Sequence, residues 1–154
     1  MKKEETFDYY LRSIWLKVAR IYNIKAAAFG QSMSVGFVLL SIDRDGTPST
    51  SLGPKLGMEP TSLSRILKNL ENDGLIIRKP DDQDKRVTNV ILTEKGIEKR
   101  KIAKEVVLNL NHRVADSFSE RDIKSYKRIM QKLSDVIDKE LMETKNMAGN
   151  AVEK

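Results

Sequence analysis

The 154-residue chain contains no cysteine. That absence excludes disulfides, thiolate nucleophiles, cysteine-built zinc sites and thiol redox sensing together. Histidine is nearly as scarce: His112 is the only one, inside KEVVLNLNHRVADSF. In a run of helical composition a lone imidazole belongs to the surface or to a satisfied core, and it receives no catalytic role. No HExxH, GxSxG or glycine-rich phosphate loop occurs. An enzyme is therefore not expected, and neither a metal nor another cofactor is implied. Long apolar runs are missing too. VGFVLLSI is far short of the roughly eighteen residues that cross a bilayer, and MKKEETFDYY lacks the apolar segment of a secretory signal. The expectation is a cytoplasmic protein without a membrane partner.

What the sequence does have is charge. Lysine and arginine number 28 against 22 acidic residues, a net charge of +6. With 40% hydrophobic and 32% charged residues this is the composition of an ordinary globular protein. A basic surplus favours polyanions such as nucleic acid, but its meaning depends on where the cations lie.

Phe7, Leu11, Ile14, Val18 and Ile21 recur at helical spacing, which predicts a first amphipathic helix. A second is expected in SVGFVLLSID with Ser34 as its N-cap, and DRDGTPSTS then breaks the chain. The segment SLGPKLGMEPTSLSRILKNLENDGLI reads as two short helices joined by a tight turn at Gly57. The first is expected at about Leu52–Leu56, with Pro54 in its first turn. The second opens at Pro60, buries Leu63, Ile66, Leu67 and Leu70, and stops at Gly74. Its opposite face carries Thr61, Ser62, Ser64, Arg65 and Lys68. Leu75–Lys79 then reads as a strand, PDDQDK as a turn, and Arg86–Thr93 as a returning strand. Val90, Ile91 and Leu92 run together as in a strand buried on both faces. Thr93 caps a following helix with Glu94 at its dipole. Ile123, Tyr126, Met130, Leu133, Ile137 and Leu141 form a last stripe, and METKNMAGNAVEK has no periodicity.

Helix, tight turn, helix and two-stranded hairpin is the order of a winged helix-turn-helix. A helix whose first residues are short and polar suits the major groove. Thr61, Ser62 and Ser64 can hydrogen-bond bases or phosphates, Arg65 can grip guanine, and Lys68 is placed for phosphate. The hairpin tip needs turn formers, which the aspartates supply. Asp84 is expected to pair with Lys85 or Arg86 and support an extended arginine that enters the minor groove.

These residues resemble the MarR (multiple-antibiotic-resistance regulator) family of winged-helix transcription regulators. The likeness is carried by the L-E-x-x-G-L run (Leu70, Glu71, Gly74, Leu75), the wing D-x-R (Asp84, Arg86) and L-T-E-K-G (Leu92 to Gly96). Lys85 stands where the family often has arginine, and Gly53-Pro54 interrupt a helix usually free of both. The resemblance implies a mainly α fold with a small β-hairpin wing (α+β). Residues 1–32 and 102–145 would form an all-helical dimerisation region, 33–101 the DNA-binding region and 146–154 a flexible tail. It implies a homodimeric repressor of double-stranded DNA on an inverted repeat, released by a small lipophilic or aromatic effector. Arg86 would be the wing arginine, with Lys85 beside it. Tyr10, Trp15 and Phe37 are candidates to line an effector pocket, though each also reads as plain core. A winged helix used for protein contact, or an architectural DNA binder without sequence preference, would show the same residues.

Overall fold

The computed structural model describes residues 2, 6–81 and 84–152, with side chains through residue 148. Two compact units divide the chain, Met1–Asn109 and Leu110–Lys154.

In the first unit, α1 (Phe7–Ala27) is followed by α2 (Met33–Ser41). The cap of α2 is Ser32, whose hydroxyl accepts the Val35 N–H at 3.3 Å, not the expected Ser34. Both serines precede the same apolar run, and periodicity alone could not choose between them. The DRDG segment that reads as a simple break builds a third strand. The Asp43 N–H donates to Thr47 Oγ1 at 2.8 Å and the Gly46 N–H to the Asp43 carbonyl at 3.1 Å. This turn delivers β1 (Thr47–Pro48) to the sheet.

Helix α3 (Ser49–Leu56) starts a turn earlier than expected, so Pro54 lies in its interior rather than its first turn. The added turn, Ser49-Thr50-Ser51, is polar and leaves no apolar rhythm to detect. Proline removes only the bond to the exposed Thr50 carbonyl in a two-turn helix. Helices α3 and α4 (Pro60–Asn72) end alike, on left-handed glycines: Gly57 at φ 60° and Gly74 at φ 67°. After α4 the Gly74 N–H donates to the Glu71 carbonyl at 3.0 Å and the Leu75 N–H to the Leu70 carbonyl at 2.8 Å. That pair of bonds satisfies the last helical carbonyls and turns the chain sharply.

Strands β2 (Ile76–Pro80) and β3 (Thr88–Leu92) complete a three-stranded antiparallel sheet in the order β1-β3-β2. Val90 pairs with Thr47 on one side and Arg78 on the other. The run Val90-Ile91-Leu92 thus reflects a central strand, not one buried on both faces: Val90 is fully buried, while Ile91 and Leu92 are half-buried. Arg86, expected at the start of β3, lies in the turn before it. The core joins Val38, Leu39 and Ile42 to Leu52, to Leu63, Leu67 and Leu70, and to Leu75, Ile76 and Val90. Ile66 is only partly buried against this cluster.

Helix α5 (Glu94–Ala115) opens with the Thr93 hydroxyl accepting the Gly96 N–H at 3.1 Å. Gly96 is buried, and a Cβ there would overlap the backbone carbonyl of Leu75. In the second unit, α6 (Glu120–Val152) begins with a reciprocal cap. The Asp122 N–H donates to Ser119 Oγ at 3.2 Å, and Asp122 Oδ2 accepts the Ser119 N–H at 3.2 Å and its hydroxyl at 2.6 Å. These bonds hold the exposed Asp122 carboxyl below its ordinary pKa. Helix α6 runs on through Val152, beyond the last apolar stripe. Methionine, glutamate, lysine and alanine favour helix without forming a face.

Replacing Gly96 by alanine is expected to cost about 3 kcal/mol, because backbone rather than a flexible side chain must yield. Gly74→Ala, which has open space but a left-handed φ, should cost about 1 kcal/mol. Denaturant unfolding of both variants measures the difference. Equal losses would show that Gly96 is not a packing constraint.

Candidate nucleic-acid interface

Helix α4 is amphipathic in a strict sense. Leu63, Leu67 and Leu70 are buried, and Thr61, Ser62, Ser64, Arg65 and Lys68 are all exposed. At 100° per residue, Thr61, Ser64, Arg65 and Lys68 fall on one stripe opposite the buried leucines, with Ser62 at its flank. The stripe continues to exposed Asn72, a residue the sequence reasoning passed over although it stands one turn beyond Lys68. No side chain caps the N-terminus: Glu59 is the N-cap residue but makes no capping hydrogen bond, and Pro60 follows. The first-turn N–H groups of Thr61 and Ser62 therefore point outward with the positive end of the helix dipole.

The remaining candidates occupy the wing. Asp84, Lys85 and Arg86 are exposed in the turn between β2 and β3. Asp84 meets Arg86, one of its two expected partners, through the backbone. Its Oδ1 accepts the Arg86 N–H at 3.0 Å, and its carbonyl accepts the Val87 N–H at 2.9 Å. This bends the chain so that two successive cations stand at the turn. Asp82 and Gln83, part of the same expected turn, lie outside the described residues.

Sequence reasoning missed the brace behind that turn. Asp81 Oδ1 accepts the Asp84 N–H at 3.0 Å, and Asp81 Oδ2 accepts from the Asn89 amide at 2.7 Å. The Asp81 N–H donates to the Val87 carbonyl at 2.8 Å. One carboxylate thus ties the turn to the strand that returns from it. The available signal was Asn89, a polar residue interrupting the β-branched stretch VTNVIL.

Helix and wing are joined mechanically. Glu71 Oε2 in the last turn of α4 lies 3.2 Å from Arg78 Nε on β2. Lys95 Nζ donates to the Asp73 carbonyl at 2.8 Å, and Thr93 Oγ1 to the Gly74 carbonyl at 2.7 Å. The Thr93 N–H donates to the Leu75 carbonyl at 3.0 Å. Three consecutive carbonyls at the end of α4 are thereby held by the segment that follows the wing.

A second feature lies between α1, α2 and the first half of α5. An apolar cavity of about 50 Å³ is lined by Tyr22, Phe29, Phe37, Leu40, Ile102 and Val106 among others. Of the three aromatic candidates, Phe37 lines it. Trp15 stacks on Phe37 with ring centres 6.2 Å apart, and Tyr10 packs edge-on against Tyr9. No cluster of potential metal ligands occurs among the described residues, and no described helix is long and apolar enough to cross a membrane.

Residues 32–88 match the family model described as the MarR family. Among solved structures, S. aureus MepR in its DNA-binding conformation aligns with a TM-score of 0.77 at 24% identity, over 86% of this chain and 98% of that one. A MepR–DNA complex from S. aureus aligns at 0.74 and 24%, over 83% and 96%. CouR from Rhodococcus jostii RHA1 bound to p-coumaroyl-CoA aligns at 0.72 and 19%, over 84% and 92%. No curated protein matches the sequence.

Asp81→Ala is expected to loosen the wing turn without touching the core. Amide exchange at Asp84 should accelerate by roughly tenfold, the loss of one hydrogen bond, while exchange at Leu67 in α4 stays unchanged. Unaltered protection at Asp84 would show that Asp81 braces nothing.

Proposed function

We propose that this chain, a winged helix-turn-helix protein of the MarR family, is a sequence-specific double-stranded DNA binder that represses transcription as a homodimer. The carrying observation is the exposed polar stripe of α4, Thr61 through Lys68 with its uncapped N-terminus, fixed to a wing that ends in Lys85 and Arg86. A helix of this kind enters a major groove, where Arg65 hydrogen-bonds guanine and the short hydroxyls reach bases or phosphates. Lys68 neutralises phosphate, and the first-turn N–H groups add to the attraction. The wing cations reach the neighbouring minor groove, with Arg86 leading. Affinity then comes largely from phosphate neutralisation and discrimination from α4. The DNA-bound state of MepR supports the reading by analogy of fold. No catalytic role is assigned to any residue, and the protein is taken to act in the cytoplasm.

The dimer rests on uncovered apolar surface. Phe7, Leu11 and Ile14 on α1, and Tyr126, Ile129, Val136, Ile137 and Leu141 on α6, are exposed large hydrophobics. Ordinary monomers leave no such series in water. A two-fold pairing of residues 1–32 and 102–145 would cover it and present two α4 helices about 34 Å apart, selecting an inverted repeat. The tail at 146–154 takes no part. The cavity between α1, α2 and α5 is the place for a lipophilic effector that favours a dimer whose heads are wrongly spaced.

Selection of duplexes from a random pool, followed by anisotropy titrations at several salt concentrations, tests the whole reading. Enrichment of an inverted repeat bound by a dimer, with affinity falling steeply as salt rises, is expected. Recovery of no preferred sequence would leave an architectural binder, and salt-independent association would sink the DNA assignment.

On the selected duplex, Arg65→Ala should lose about 1–3 kcal/mol of discrimination at particular base pairs. Uniform weakening across all sequences would reduce Arg65 to a phosphate contact. Arg86→Ala should weaken binding broadly, most where the minor groove is narrow. Unchanged affinity in a folded variant would remove Arg86 from the interface.

A further inference from the structure

Between Asp45 and Glu71 the sequence holds a single carboxylate, Glu59. The stretch includes all of α3 and the polar stripe of α4, so one negative charge stands among cationic and neutral residues. It stands at the tip: Glu59 is the N-cap residue of α4, directly before Pro60 and Thr61. Three other carboxylates of helix and wing are engaged. Glu71 meets Arg78, and Asp81 and Asp84 accept N–H groups within the wing. Glu59 is exposed, caps nothing, and has no hydrogen-bond or ion-pair partner for its side chain among the described residues.

Its backbone is held on both sides. The preceding Met58 packs against the core, and the Met58 N–H donates to the Gly53 carbonyl at 3.0 Å. The Glu59 carbonyl accepts the Leu63 N–H at 3.1 Å. With φ −63° and ψ 142° the residue is extended, and the ring of Pro60 fixes the step that follows. The carboxylate is thus carried by a rigid point of the chain, at the end of a reading helix that meets base edges. A negative group there repels phosphate. The helix dipole offsets this only weakly at an exposed site.

From this placement we infer that Glu59 is a specificity-determining residue, whose carboxylate accepts a hydrogen bond from the exocyclic N4 amino group of a cytosine. The inference rests on the DNA reading above and adds a base that reading does not name. The major-groove edges of the bases decide among them. Guanine offers two acceptors, and thymine an acceptor and a methyl, so neither can donate to a carboxylate. The N6 donor of adenine stands beside its N7 acceptor. Cytosine alone presents a donor with no acceptor next to it. Arg65 and Glu59 then discriminate in opposite senses. The arginine gains wherever guanine or phosphate is met, whereas the glutamate weakens every duplex that lacks a cytosine within reach.

The test uses the full-length protein with the selected duplex and its single-base-pair variants, read by anisotropy. Native protein is expected to prefer a C·G pair at one position of each half-site by about tenfold. Replacing that cytosine by a pyrimidinone nucleoside that lacks only the amino group should give the same loss. Glu59→Ala should erase the preference at that position alone and bind a scrambled duplex more tightly than native protein does. Glu59→Gln should move the preference from cytosine to adenine, whose N6 and N7 suit a side-chain amide. A residue with a merely structural role shifts no base preference. If Glu59→Ala leaves every preference as it was, or tightens all duplexes equally, Glu59 reads nothing and the DNA reading stands. If native protein shows no sequence preference, Glu59 and the sequence-specific reading fall together. The pyrimidinone duplex needs no variant to fold, and unchanged native affinity for it would overturn the assignment by itself.

Discussion

The junction at the end of α4 is the constraint on which the rest of the structure depends. A helix can offer a reading face only if its axis is fixed, and the axis of α4 is fixed at Asp73, Gly74 and Leu75. Their three carbonyls accept from Lys95, from the Thr93 hydroxyl and from the Thr93 N–H. Gly96 lies so close to the Leu75 carbonyl that no side chain fits between them. Helix end, wing root and the start of α5 are consequently one object. The resemblance motifs L-E-x-x-G-L and L-T-E-K-G are the two halves of this clasp, brought together from positions some twenty residues apart, as in the Thr93–Gly74 bond.

The wing, proposed above to meet a polyanion, builds its turn from aspartates, which are good turn formers but carry the wrong charge for that role. Asp81 and Asp84 are engaged inward, with amide hydrogens of the turn and the Asn89 side chain. Their charge is placed among N–H donors, while Lys85 and Arg86 stay exposed at the turn. The same carboxylates that would repel phosphate thus give the hairpin its shape.

Much of this was legible in the sequence because period and punctuation agreed. The leucine stripe of α4, Pro60 at its start, Gly74 at its stop and the Thr93 cap each follow from local chemistry, and the structure has them all. The errors cluster where polar residues carry the structure. The first turn of α3 is serine and threonine. β1 is two residues long and is defined by its partner rather than by its own pattern. Asp81 and Asn89 meet across a hairpin whose register the sequence does not state. The exposed placement of the candidate site residues followed from the helix face, whereas the backbone form of the Asp84–Arg86 pairing did not. Side-chain and backbone partners at such short range look identical in a sequence. The cavity was foreseen only as an idea: Phe37 lines it, but Lys99 at its wall comes from α5, seventy residues from the Phe29 carbonyl it touches.

Both outer strands of the small sheet contain a proline, Pro48 in β1 and Pro80 in β2, and β2 also carries Arg78 and Lys79. Proline offers no N–H to an incoming strand, and like charges repel a second copy approaching edge-on. Sheet extension, the usual route by which a β-hairpin recruits its neighbours into fibrils or swapped assemblies, is closed on both flanks. Any association with a second copy falls to side-chain surfaces outside the sheet.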